Sequence, residues 1–216
     1  MVFESEYWRR QEIANSVTHG LGIALSVAGL IVLVVLASLH ATVWHIVSFS
    51  IFGASLVLLY TASTLYHSFR SPRVKQVLHI IDHSSIYLLI AGSYTPFVLV
   101  TLRGAWGWSL FGVVWGIALA GIVLKTFFTG RYKMASTILY LLMGWMIVVA
   151  IKPLAHAVPV GGIVWLAAGG LAYTIGAVIY MWKTIPYHHS IWHLFVLAGS
   201  ICHYFSVLLY VLPTRA

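Results

Sequence analysis

Acidic side chains are the scarcest feature of this sequence. Four carboxylates, Glu4, Glu6, Glu12 and Asp82, stand against twelve Lys and Arg in 216 residues. Charged residues make up only 7% of the chain and hydrophobic residues 61%, whereas soluble domains carry about 25% charged and about 45–50% apolar residues. So little charge excludes an ordinary soluble domain and implies an integral membrane protein with little mass outside the bilayer. The lone cysteine, Cys202, lies inside an apolar run. An internal disulfide and a thiolate metal cluster each need at least two sulfurs, so both are excluded. The first twenty residues, MVFESEYWRRQEIANSVTHG, lack the basic, apolar, small-residue order of a cleaved signal. The first apolar run is therefore expected to be a retained span. The formal charge of +8 points to anionic lipid head groups and a topology signal before nucleic acid.

What is there is long apolar runs. A helix crossing a bilayer needs roughly 20 mostly apolar residues, and such runs fall at about 17–39, 44–66, 77–101, 105–124, 134–151, 160–182 and 190–212. Residues 1–216 therefore read as one all-α domain, a bundle of seven transmembrane helices, with no internal repeat. Prolines 72, 153, 159, 186 and 213 sit in or beside the links, and Pro96 falls inside the third run, where it should kink the helix. Trp8, Trp44, Trp106, Trp108, Trp182 and Trp192 lie near run ends, as interfacial aromatics do. Arg9, Arg10, Arg70, Arg73, Lys75, Lys125, Arg131, Lys133 and Lys183 fall on the side of the N-terminus, and Arg103, Lys152 and Arg215 on the other. Nine basic residues against three predict a cytosolic N-terminus and an extracytoplasmic C-terminus.

The polar residues gather on the basic side. Asp82 is the one acid within a predicted span, and an ionisable group at membrane depth usually marks function. It lies near the start of the third helix, so an interfacial helix cap is the plainer alternative. His189 and His193, in IPYHHSIWHLF, are four residues apart and share a helix face; His188 is turned about 100° away. Such a pair is a standard way to present two nitrogens to one metal, but alone it is a weak signal, and interfacial side chains would share the spacing. Ser63 and His67 share a face at the end of the second helix. His67, Asp82, His189 and His193 thus come from three helices with their ends on one side. Three neutral imidazoles with an open fourth position are the pattern of catalytic zinc. Asp82 would then serve the coordinated water as acceptor or base, and Ser63 would hold the water or a substrate oxygen.

Glu12, Asn15 and His19 line one face of the first helix start, either as polar contacts to neighbouring helices near the site or as a solvated helix end. His79 and His83 flank Asp82 and are expected to support the site from behind its ligands. His203 lies about 15 Å along the helix from His193, too far to share a metal, and reads as a buried polar contact.

The segments EIANSVTHG, ASTLYHS, IDHSSIYLLIAGSYTPF and HHSIWHLFVLAGSICHY resemble the bacterial hemolysin III proteins. These belong with the progestin and adipoQ receptors, which include the adiponectin receptors. The resemblance covers nearly the whole chain. It implies a seven-helix bundle in the bacterial inner membrane with a cytosolic N-terminus and a zinc ion just inside the cytosolic face. His67, His189 and His193 match the family's zinc ligands, and Ser63 and Asp82 match the residues around the coordinated water. The site is also similar to that of the alkaline ceramidases, which implies hydrolysis of a lipid amide or ester drawn from the inner leaflet. Two rival expectations stand beside this: a receptor or regulator with structural zinc, and a pore-forming cytolysin, which the few charges in the outer halves of the helices disfavour; a homo-oligomer is compatible with either.

Overall fold

The computed structural model describes residues 2–213, with side chains described from residue 6 onward. Glu4's side chain and Arg215 lie outside the described residues. Helices α1 (Val2–His40), α2 (Val43–Ser68), α3 (Pro72–Pro96), α4 (Ala105–Phe128), α5 (Lys133–Gly144), α6 (Ile151–Ala157), α7 (Val160–Met181) and α8 (His188–Tyr210) follow one another. Among the described residues there is no strand. Seven segments are long and apolar enough to cross a membrane; α5, a 3₁₀ stretch Trp145–Ala150 and α6 together form the fifth, Lys133–Ala157.

The first helix is longer than its apolar run. Its 39 residues measure roughly 58 Å at about 1.5 Å per residue, against a hydrocarbon core of about 30 Å. The polar N-terminal turns therefore continue beyond the apolar part as helix, and an i,i+4 pair from Arg10 Nη2 to Glu6 Oε1 at 2.6 Å supports them. This extension carries Glu12 and Asn15 across the ends of α2 and α8.

Two spans depart from regular α-helix, the third at its end and the fifth in mid-course. Pro96 has no N–H for the helix ladder, and α3 gives way at that point to a π-helical turn, Phe97–Thr101. In the fifth span the break comes at Gly144 and the 3₁₀ stretch after it. Tyr94 spans the gap: its hydroxyl donates to the carbonyls of Met143 (3.0 Å) and Gly144 (2.8 Å) and accepts from the Ile147 N–H (2.8 Å). Broken backbone at membrane depth persists where a neighbour satisfies it in this way.

Helices α1, α2 and α3 pack in sequence, α7 packs along α8, and α8 returns to α1. A Cβ on Gly92 would collide with the Ser55 side chain, so glycine sets the close approach of α3 to α2. The fifth span touches α3 and α7 only lightly. Between it and the other helices lies a cavity of about 220 Å³.

Candidate functional site

The left-handed residue Tyr187 (φ 55°) turns the chain from the preceding link into α8. Its backbone N–H donates to the Tyr7 hydroxyl at 3.0 Å. This anchor places His189 and His193, one turn apart, opposite His67 in the last turn of α2. One nitrogen from each of the three rings lies within 4.8 Å of the others. His67 and His193 are buried and His189 is half-buried. His188 turns away, its Nδ1 3.2 Å from the Ile185 carbonyl.

Two of the rings, His67 and His193, have contacts at their Nδ1 atoms. His67 Nδ1 donates to Glu12 Oε2 at 2.7 Å, while Glu12 Oε1 accepts from Lys75 Nζ at 3.0 Å. His193 Nδ1 lies 3.3 Å from the Asn15 carbonyl and 3.4 Å from the Thr18 hydroxyl. Ser190 donates to Asn15 Oδ1 at 2.5 Å. His19 stacks flat on His193, ring centroids 3.6 Å apart and planes 6° from parallel. Glu12, Asn15 and His19 thus reach the histidines from α1.

A neutral imidazole that donates from Nδ1 keeps its lone pair on Nε2. His67 Nε2 is buried with no hydrogen-bond partner among the described residues. A buried acceptor without a donor is costly, and a cation removes that cost. The donor set is all nitrogen, with no thiolate and no carboxylate in the cluster, which suits zinc with an open fourth position. The residues present fit the metal.

Ser63 and Asp82 are buried, and both line the 220 Å³ cavity together with His189 and His193. The Ser63 hydroxyl has no hydrogen-bond partner among the described residues. Leu59, Ile86, Leu89 and Phe97 supply much of the remaining wall. His67 faces a second, more polar space of about 540 Å³ lined also by Glu12, Asn15 and Lys183, and His189 borders both. The three histidines therefore stand at the boundary between an apolar chamber and a polar vestibule.

His83 Nδ1 lies 3.5 Å from Asp82 Oδ2 and 3.1 Å from the His79 carbonyl of its own helix. His79 stacks on Tyr66, centroids 5.2 Å apart. Both thus gather around Asp82 and the α2 end, outside the three-ring cluster. His203 packs against Tyr173 and Gly169, far down α8. Sequence reasoning missed Ser190, Thr18 and Lys75, whose roles depend on how α1, α3 and α8 face one another. It also missed a buried Tyr60–Ser200–Tyr173 chain, with hydroxyl separations of 2.8 and 2.9 Å.

Fold and site together define a class: multi-pass membrane proteins whose histidines converge from separate helices at one end of the bundle. Residues 7–204 match the family model described as Haemolysin-III related, and the chain belongs to that family. It is 51% identical to Hemolysin-3 of Bacillus cereus over 207 residues, which is 96% of this chain and 94% of that protein. It is 49% identical to the Hemolysin-3 homolog of Bacillus subtilis (strain 168) over 201 residues, 93% of this chain and 94% of that one. The Monocyte to macrophage differentiation factor of Homo sapiens is 28% identical over 207 residues, 93% of this chain and 84% of that protein. No solved structure matches the chain.

Proposed function

We propose that this protein is a zinc-dependent hydrolase of a lipid-like amide or ester, in the bacterial inner membrane with its site toward the cytosol. One observation carries the reading: three imidazoles converge, one with a buried Nε2 that has no partner among the described residues, and two of them border the apolar cavity that Asp82 and Ser63 also line. His67, His189 and His193 hold the metal, and Glu12 fixes the His67 ring. Zinc supplies Lewis acidity toward a carbonyl and an acidified water. Asp82 takes the proton from the attacking water and delivers it to the departing nitrogen or oxygen. Ser63 donates a hydrogen bond to the charge that develops on the carbonyl oxygen. The apolar chamber holds the hydrocarbon, and the lightly packed fifth span gives it a lateral route from the leaflet.

Structural zinc sites usually close with four protein ligands. The cluster offers three and leaves Asp82 outside it, which favours the hydrolase over a purely structural metal. The test begins with metal content. Protein purified without added metal is expected to hold near one zinc per chain by elemental analysis, and His189→Ala with His193→Ala to hold none. Asp82→Asn should keep the zinc and lose about 10²–10⁴ in release of fatty acid from inner-membrane lipids. Zinc-free wild type, even after replenishment, overturns the reading. Dye release from liposomes that survives His67→Ala without lipid turnover supports a cytolytic pore in its place.

A further inference from the structure

Lys125 is a cation in an unusual setting. It lies in the last turn of α4, is 5% exposed and lines the same cavity as Asp82 and Ser63. Its ammonium donates to Ser136 Oγ at 2.9 Å and stands 5.9 Å from the Tyr140 ring centroid. Tyr140 in turn donates to the His83 carbonyl at 2.9 Å, so the lysine is tied through one side chain to the helix that carries Asp82. Lys133 lines the cavity beside it.

Among the described residues no carboxylate forms an ion pair with Lys125: Glu6 pairs with Arg10, Glu12 with Lys75, and Asp82, which lines the same cavity, lies 3.5 Å from His83. The negative end of α4 offers only partial compensation. A buried charge without a partner is strongly unfavourable, and a hydroxyl and a ring face supply no countercharge. The rest of the wall is largely hydrocarbon. An occupant that suits both features is an amphiphile with an apolar tail and an anionic oxygen group.

We infer that Lys125, with Lys133 behind it, is an anion subsite of the cavity, and that the lipid bound there carries a carboxylate or phosphate. The inference rests on the hydrolase reading only for calling that lipid a substrate; the binding site stands without it.

The test uses full-length protein in an uncharged detergent, with binding quantified by native mass spectrometry. Three probes of equal chain length are compared: a fatty acid, a single-chain phosphate monoester and a fatty alcohol. Wild type is expected to prefer an anionic probe over the alcohol by about tenfold, the ratio one charge-assisted hydrogen bond gives. Lys125→Met should remove the preference and leave alcohol binding unchanged, and Lys125→Arg should keep it. Lys125→Gln serves the same end where the methionine variant folds poorly. Whichever anion binds tighter names the head group. The same series in His67→Ala, which lacks the metal ligand, separates the two readings: a preference that persists there belongs to Lys125 even where no zinc or turnover is found. No preference in wild type, or one that survives Lys125→Met and vanishes in His67→Ala, overturns the inference.

Discussion

Glu12 shows how one carboxylate can serve two neighbours. One oxygen accepts from His67 and the other from Lys75, so α1, α2 and α3 meet on a single side chain. A carboxylate behind a ligating imidazole fixes its tautomer and raises its basicity. Glu12→Ala is therefore expected to weaken zinc binding about 10–100-fold, measured by competition with a chromophoric chelator. Glu12→Gln, which retains an acceptor, should fall between. Equal affinity in all three would mean that His67 needs no outside support. At this scale the sequence exposes the spacing of His189 and His193 and the shared face of Glu12, Asn15 and His19, because helical period alone decides them. It does not expose the Asn15 carbonyl beneath His193 or the burial of Lys125, because these depend on the rotation of each helix about its axis.

At the scale of elements, the two broken spans explain each other. Pro96 ends regular α3 and the π turn follows; just before it, Tyr94 faces the fifth span where that helix opens. Pro96 announces the first break in the sequence. The second carries only Gly144, a weak signal, and its stability comes from a residue fifty positions away in the chain. Tyr94→Phe would remove the one hydroxyl that the Met143 and Gly144 carbonyls and the Ile147 N–H share across the break. Loss of such a hydrogen bond costs about 0.5–1.5 kcal/mol, which for a chain of this size lowers the apparent Tm by roughly 2–4 °C per kcal/mol. Thermal unfolding followed by tryptophan fluorescence in detergent measures it. An unchanged midpoint would show that the fifth span holds its break unaided and that Tyr94 merely borders the cavity.

At the scale of the whole molecule, charge and site coincide. The spans alternate in direction, so the links after α2, α4 and α7 share one end of the bundle with the start of α1. Contacts from Glu12 to His67 and Lys75, and from Tyr7 to Tyr187, join elements at that end. Arg9, Arg10, Arg70, Arg73, Lys75, Lys125, Arg131, Lys133 and Lys183 also belong to it, whereas Arg103 and Lys152 belong to the other. Lys and Arg near span ends are retained in the cytosol, so the three-histidine cluster should face inward. Cysteines at Ser71 and Ala105, both exposed and at opposite ends, test this against a background of Cys202 alone. Ser71→Cys should resist a membrane-impermeant thiol reagent in intact cells and react once the membrane is opened, and Ala105→Cys should react from the start. The reverse pattern would place the histidines toward the cell exterior. The anionic lipid expected at Lys125 would then have to come from the outer leaflet, and a site open to the exterior would take its zinc from a different pool.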